Sequence, residues 1–305
     1  MVFNRPGPTA QVFAEIARAQ PRTLLVIADG PRTNHPEDAE CCARTRAIVD
    51  QVDWDCVVHR DFADTNLGLR RRISSGLNWA FGSVEEAIVL EDDCLPHPTF
   101  FRFSEELLER YRDDPRVMHI SGDNFLFGQH PIASSYYFSR YSHIWGWATW
   151  RRAWAHYDVE LKAWKDPAER SRCLRCFDDP SERAFWSKCW DGVSQGVIDT
   201  WDYQWAFACL ARQGLCVMPA HNLVSNIGFG GSATHTVSQK SPFDRMQTSP
   251  LQFPLLHPRR TERDVAADAR TARLFFCGGA DTPCRSRAGS ILRRLLQPFR
   301  SVLAR

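Results

Sequence analysis

The sequence predicts an α/β fold with a mostly parallel central sheet flanked by helices. Largely apolar runs of strand length occupy residues 24–28, 87–90 and 117–120, and each run is followed by a turn that contains aspartate. Fully buried strands of parallel sheets have this pattern. Amphipathic stretches with helical spacing separate the runs, and strands that alternate with helices are typical of α/β proteins.

The other elements follow from the same spacing rules. Residues 1–3 have the apolar character of a strand end. A helix is predicted after them because Val12, Phe13 and Ile16 share one helical face. Further helices are predicted at 37–52, 70–80 and 99–112 and across most of 150–214, and further strands at 54–59 and 215–224.

Composition excludes several classes of protein. The chain has 305 residues and a net charge of +2 from 38 basic and 36 acidic side chains, without the basic surplus of a dedicated nucleic-acid binder. An odd number of cysteines, 11, in no regular framework indicates reduced thiols. The N-terminus lacks the pattern of a signal peptide, and no segment has the length and apolarity of a membrane span. We therefore expect a cytoplasmic protein.

The chain is rich in aromatic residues, with 11 tryptophans and 19 phenylalanines. Many of them fall between residues 136 and 205. Such side chains either fill a core or stack on the faces of sugar rings. The core interpretation is favoured from the sequence alone, because most aromatic side chains are buried.

Acidic side chains follow three of the predicted strands, at Asp29, at the run Glu91, Asp92 and Asp93, and at Asp123. In open α/β sheets, ligands bind beyond the carboxyl ends of the strands. Taken alone, Asp29 and Asp123 are explained by ordinary turn chemistry, since aspartate is common in turns.

The run of three carboxylates needs a different explanation. Adjacent carboxylates repel one another unless a positive charge lies among them. A divalent cation, Mn²⁺ or Mg²⁺, is the expected partner, held by one or two carboxylates together with phosphate oxygens. Such a cation would neutralise a departing diphosphate.

Seven short segments carry a family resemblance, and they follow one another between residue 1 and about residue 236. They are VFNRP, IADGPR, NLGLRRRISSGLNWAF, IVLEDDCLPHPTFF, YSHIWGWATWRRAW, WDYQWAFA and NIGFGGSATHT. Together they resemble the hemolytic protein HlpA-like family of bacterial nucleotide-diphospho-sugar transferases and, distantly, N-acetylglucosaminyltransferase I. The resemblance implies a GT-A-like fold and a metal-dependent, inverting transfer of sugar from a UDP-sugar to a hydroxyl acceptor, in bacterial surface glycan synthesis.

The resemblance also implies a domain organisation. Residues 1–240 would form the catalytic domain, with a nucleotide-binding half at 1–130 and a half for acceptor and donor sugar at 131–240. Residues 241–305, which are polar and interrupted by prolines, would form a C-terminal extension.

Roles for single residues follow from the same resemblance. Asp29 would contact the base or ribose of the nucleotide, with Arg5 close to it. Asp93 would be the metal ligand, while Glu91 and Asp92 would hold the ribose and the donor sugar. The other residues expected at the nucleotide-sugar are Arg71, Arg72, Asp123, Trp145, Gly146, Trp147 and, in a loop that closes over the donor, Ser232.

Asp202 precedes a predicted helix and has two interpretations. An acidic residue in the first turn of a helix complements the helix dipole. The resemblance instead implies that Asp202 is the catalytic base for the acceptor hydroxyl.

The C-terminal residues 285–305 combine an apolar stripe at helical spacing with many arginines, and Pro298 interrupts the stripe. A basic amphipathic helix of this kind lies on anionic membranes. Peripheral membrane contact and packing or disorder of the tail are equally compatible with the sequence.

Two alternative functions differ in what the sequence should contain. A non-catalytic protein that binds carbohydrate or a nucleotide-sugar would need neither the acidic run nor Asp202. A sugar-phosphate nucleotidyltransferase would need a glycine-rich loop near its N-terminus, which this chain lacks.

Overall fold

The computed structural model describes residues 1–229 and 243–276. The helices are α1 (Pro6–Ala19), α2 (Pro36–Val49), α3 (Leu69–Ser83), α4 (Thr99–Arg110), α5 (Arg151–Trp154), α6 (Pro167–Leu174), α7 (Pro180–Ser194), α8 (Asp202–Ala211) and α9 (Val265–Phe275). The strands are β1 (Thr23–Ala28), β2 (Val57–Phe62), β3 (Glu86–Val89), β4 (Cys94–Pro96), β5 (Val117–Ser121), β6 (Tyr136–Ser139), β7 (Trp147–Trp150), β8 (Leu215–Pro219) and β9 (Val224–Asn226). The predicted α/β class is confirmed.

The central sheet has five strands in the order β3-β7-β5-β8-β6. Its β5–β8 pair is parallel, whereas β3–β7, β5–β7 and β6–β8 are antiparallel. The prediction of a mostly parallel central sheet is therefore wrong. It failed because β6 and β7, which the sequence analysis did not predict, each run against their neighbours.

Strand β7 lies between β3 and β5 and separates two parts of the core. The fully buried Trp147 packs with Trp201 and Trp205, while Trp150 belongs to the core around Phe103 and Leu108. Neighbouring side chains of a strand point to opposite faces, which is how one short strand contributes to both. The aromatic richness of the chain is thus used largely to fill the core, as the sequence favoured.

A separate parallel pair, β1 and β2, lies at the start of the fold. Residues 1–3 do not form a strand of their own, and Val2 makes a single bridge to Ala28. Helix α3 packs closely on β1 where Gly76 faces Ile27. The approach is so close that a Cβ atom at Gly76 would lie 2.4 Å from a methyl carbon of Ile27. This packing brings the start of α3 to the carboxyl end of β1.

The predicted halves at 1–130 and 131–240 share the central sheet, since β7 and β8 pair with β3 and β5. The described part of the extension also packs against this core. Leu251 and Leu255 are buried in it, and Arg263 bridges to Phe138 of β6. Ser232 and the tail at 285–305 lie outside the described residues.

Among the described helices, none combines the length and apolarity that crossing a membrane requires.

Candidate active site

The acidic turn after β3 is bound by the first segment of the chain. Arg5, at the start of α1, donates from Nε to Asp92 Oδ2 at 3.3 Å and from Nη1 to Asp93 Oδ2 at 2.9 Å. Its Nη2 donates to the other Asp92 oxygen. Asp92 therefore accepts a two-pronged bond, the geometry in which a guanidinium binds a carboxylate most strongly.

Burial and mutual repulsion dominate the electrostatics of this turn. Burial, followed by the neighbouring charges of Asp93 and Asp92, raises the pKa of Glu91 to about 8. Burial also raises the pKa of Asp92 in spite of Arg5. Burial opposes the charge of Arg5, but the two aspartates outweigh it and raise its pKa above the ordinary value. The turn is thus short of positive charge even with Arg5 in place.

The segment after β9 closes the turn from another side. The Ile227 amide donates to the Asp93 carbonyl oxygen at 2.8 Å, and the Gly228 amide donates to Asn226 Oδ1 at 2.9 Å. A Cβ atom at Gly228 would lie 2.1 Å from Asp93 Oδ2 and 2.8 Å from Arg5 Nη1. Glycine is therefore required for this backbone to lie against the carboxylate.

An aromatic group adjoins Gly228. The half-buried Trp145 lies edge to face with Phe229, with 5.9 Å between ring centroids, and with Phe125 at 5.1 Å. Its amide donates to Asp123 Oδ2 at 3.1 Å. Trp145 therefore lies near the acidic turn through Phe229, the residue that follows Gly228.

The two residues that follow Trp145 have structural roles, Gly146 in a backbone turn and Trp147 in the core. Gly146 has a φ of +68°, and its carbonyl accepts a bond of 2.7 Å from the Gly122 amide. Trp147 is fully buried, with ring centroids 5.2 Å from His119 and 5.7 Å from Trp201. Contrary to the prediction, the Trp147 side chain packs in the core and does not line an open sugar pocket.

Asp29 is buried at the end of β1 and binds groups of the protein. Its two oxygens accept from the amides of Gly30, Leu67 and Gly68 and from the Asn66 side chain, at 2.8–3.2 Å. Four donors fill the acceptor capacity of a carboxylate. Asp29 thus ties β1 to the turn before α3, and the expected contact with the nucleotide stays a prediction.

The two arginines of α3 differ in their surroundings. Arg72 is buried, and its Nη2 donates to the Asp61 carboxylate and, at 3.0 Å, to the Asp61 carbonyl oxygen. Arg71 is exposed to solvent. Of the two predicted nucleotide contacts, Arg71 has the accessible side chain.

Asp123 is fully buried at the end of β5. Its Oδ1 accepts from the Ser121 hydroxyl at 2.8 Å and lies 3.0 Å from His143 Nδ1, although not in good hydrogen-bond alignment. Together with the bond from the Trp145 amide, these contacts direct Asp123 toward the loop before β7. In this structure Asp123 organises that loop.

Asp202 begins α8 and accepts a bond from the Thr200 hydroxyl. Its charge contributes, after the larger effect of burial, to the raised pKa values of Tyr157 and Tyr203. The Tyr157 hydroxyl lies 2.9 Å from Ser74 Oγ of α3. The neighbours of Asp202 thus come from α8, the residues just before it and the segment after α5. Those of Asp93 come from the start of the chain and from the segment after β9.

The chemistry of the acidic turn fits one mode of metal binding. In the part of the chain that is described, no group of three or more histidine, cysteine, aspartate or glutamate side chains is arranged around a common metal position. Magnesium, however, is commonly held by one or two carboxylates and by substrate phosphates. Asp93 fits this mode, because Arg5 binds its Oδ2 and leaves Oδ1 beside Cys94 Sγ at 3.6 Å.

Two asparagines hold this site together but were not predicted. Asn66 donates to Asp29, and Asn226 accepts from the Gly228 amide. Each stands at the start of a segment of the resemblance, before Leu67-Gly68 and before Ile227-Gly228. Asparagine next to a glycine-containing turn is the signal that could have identified them.

No protein-family model matches this chain, and no curated protein matches it in sequence.

Proposed function

We propose that this chain is a metal-dependent, inverting glycosyltransferase with a GT-A-like catalytic domain, which transfers sugar from a UDP-sugar to a hydroxyl acceptor. One observation carries the proposal. Arg5, the acidic turn at Asp92 and Asp93, and Gly228 are distant in sequence but in direct contact. The aromatic pair of Trp145 and Phe229 adjoins them. Four segments of the resemblance thus converge on a carboxylate turn at the end of a strand, where α/β proteins bind ligands.

The acidic turn would hold the donor diphosphate. Asp93, with Asp92 beside it, would hold Mn²⁺ or Mg²⁺, which when bound supplies positive charge to a departing diphosphate. Glu91, half-buried beside them, would donate a hydrogen bond to the donor in its protonated form. Trp145 presents a half-buried ring, and aromatic rings pack well against the C–H faces of sugars.

The acceptor would be activated by a carboxylate. An alcohol is a weak nucleophile at neutral pH, and a positioned base that removes its proton accelerates attack. We assign this role to Asp202, which is partly buried at the start of α8. The anomeric carbon would then be attacked from the face opposite the diphosphate, with inversion.

Release of nucleoside diphosphate tests the proposal. The full chain is incubated with a panel of nucleotide-sugars and simple hydroxyl acceptors, with Mn²⁺ or with a chelator. We expect acceptor-dependent release of UDP that requires Mn²⁺. A protein that turns over no donor in the panel would contradict the proposal.

A binding protein on the same fold is the second candidate function. It is favoured by Arg5, which pairs with both aspartates in the absence of a metal. Such a protein would be stabilised by a nucleotide-sugar with or without Mn²⁺ and would release no diphosphate. Melting temperatures and release assays on the same samples therefore separate the two functions.

The C-terminal tail bears on location in the cell. We propose that residues 285–305 make peripheral contact with the inner face of the membrane and that the enzyme is cytoplasmic. Sedimentation with anionic vesicles at low salt tests this contact, using the full chain and a chain ending at Cys284. Equal sedimentation of the two would contradict it.

A further inference from the structure

Arg5 binds directly to the carboxylates of the acidic turn. It binds both oxygens of Asp92 and one oxygen of Asp93, and its side chain is 18% exposed. Asp92 and Asp93 are less exposed still, at 5% and 15%. The guanidinium therefore occupies three of the four carboxylate oxygens, so a cation held by both aspartates would have to displace it.

The backbone of Arg5 is fixed by the first turn of α1. The Arg5 carbonyl oxygen accepts from the Thr9 amide at 3.1 Å and from the Thr9 hydroxyl at 2.8 Å. These bonds anchor the residue at the first turn of α1. Rotation about the side-chain bonds would move the guanidinium off Asp92 without disturbing the helix.

We propose that Arg5 is an internal counter-ion that competes with the divalent cation for Asp92 and Asp93. This inference rests on the proposed function, because it takes the acidic turn to be the cation site. When the cation binds, the guanidinium leaves the carboxylates and becomes available to the diphosphate of the donor. The cation alone then binds weakly, because it must displace Arg5 without offering that side chain a new partner.

Competition of this kind couples two ligands. Nucleoside diphosphate gives the displaced guanidinium an anionic partner, so it strengthens binding of the cation, and by linkage the cation strengthens binding of the nucleotide. Removing the guanidinium should tighten the binding of the cation alone. It should also reduce the factor by which UDP strengthens that binding.

Binding of Mn²⁺ to the full chain, followed by the electron paramagnetic resonance signal of the free ion, tests the proposal. The proteins compared are wild type, Arg5→Gln and Arg60→Gln. Arg60 pairs with Asp50 at 2.7 Å on the surface, so its variant has the same change in net charge. We expect Arg5→Gln to bind Mn²⁺ alone about tenfold more tightly than wild type, since a unit charge within a few ångströms has been removed. Arg60→Gln should match wild type.

A second titration includes UDP at saturating concentration. We expect UDP to tighten Mn²⁺ binding strongly in wild type and at least fivefold less strongly in Arg5→Gln. Equal or weaker binding of Mn²⁺ alone by Arg5→Gln would overturn the proposal, and so would a failure of every variant to bind Mn²⁺.

Arg5→Lys provides a second variant in case Arg5→Gln does not fold. Lysine keeps the charge but loses the two-pronged bond. It should bind Mn²⁺ more tightly than wild type, and an unchanged affinity would count against the proposal. Because the titrations need no sugar transfer, a chain that passes them but releases no UDP would contradict the proposed enzyme and leave the competition standing.

Discussion

His119 accepts a hydrogen bond at Nδ1 from the indole N–H of Trp205, 3.1 Å away. Its other ring nitrogen, Nε2, lies 2.7 Å from the His143 carbonyl oxygen and must donate to it. Both ring nitrogens are satisfied only in the neutral Nε2–H tautomer, since a proton on Nδ1 would oppose the indole. Burial lowers the pKa of His119 to about 3.

We predict that this histidine makes the protein sensitive to acid. Between a pH of about 6.5 and a pH of about 3, His119 is protonated in the unfolded chain but stays neutral in the folded chain. Stability from this site is therefore complete above pH 6.5 and falls by about 1.4 kcal/mol for each pH unit below it. Chemical unfolding between pH 4.5 and 7.5 measures the slope.

His119→Gln should be less stable at pH 7.5 and should lose much of this slope. His221→Gln, a change at an exposed histidine, should keep it. A slope in His119→Gln equal to that of wild type would show that other groups control the acid transition.

Asp93→Asn should remove the metal requirement of nucleotide binding. In wild type, a nucleoside diphosphate at a hundred times its Kd stabilises the fold by about 2.7 kcal/mol. We expect wild type to gain this stability with Mn²⁺ and to gain little with a chelator. In Asp93→Asn the stabilisation by nucleotide should be small and equal in the two conditions. Melting temperatures provide the comparison. Glu86→Gln, a like change of charge at the other end of β3, should behave as wild type, and identical metal dependence in both variants would refute the role of Asp93.

Gly228→Ala should damage the acidic turn through a steric effect. The added methyl group would lie 2.1 Å from Asp93 Oδ2, so the backbone or the carboxylate must move. We expect a loss of about 1–3 kcal/mol in unfolding free energy, as for other overpacked sites, together with weaker nucleotide binding. Gly82→Ala is the matched control, because a Cβ atom there meets nothing within 4 Å. It lies in α3 and should gain about 0.5–1 kcal/mol. Equal stabilities of the two variants in urea would contradict the close approach at Gly228.

Asp202→Asn should separate catalysis from helix stability. If the carboxylate is the base, turnover falls about a hundred- to ten-thousand-fold while donor binding is retained. If Asp202 only complements the dipole of α8, the variant loses about 0.3–1 kcal/mol of stability and retains most of its turnover. Turnover, donor affinity and melting temperature are measured on the same preparation. Asp199→Asn, at an exposed site three residues earlier, controls for charge, and a fully active Asp202→Asn protein would exclude the residue as base.

The elements with a strong hydrophobic pattern were predicted from the sequence. Strands that depend on pairing with distant strands were missed. Helix α4 and strands β1, β3 and β5 were predicted almost at their observed bounds. Strand β7 was missed because a run of four residues with two tryptophans specifies neither a strand nor its direction. Since strand direction depends on pairing across long stretches of chain, the error about the parallel sheet followed from the same omission.

The candidate site shows a similar division. The repulsion within the acidic run led to the expectation of a divalent cation among the carboxylates, which stays a prediction. The positive group that the structure places there is Arg5, 87 residues away from Asp92, which the sequence analysis had expected near Asp29. The burial of the Trp147 ring and the saturation of Asp29 by neighbouring amides were not foreseen, because both depend on tertiary packing. No local pattern in the sequence reports them.

The insertion of β7 between β3 and β5 also determines when the sheet can form during synthesis. The ribosome completes residues 86–89 and 117–121 before residues 147–150, which must enter between them. The two earlier strands therefore wait with open edges, and pairing must close loops of about thirty to sixty residues, which slows folding. A nascent chain halted before Trp147 would expose these edges to neighbouring chains. Emergence of β7 covers one edge of β5, and the other edge of β5 is covered when β8 follows.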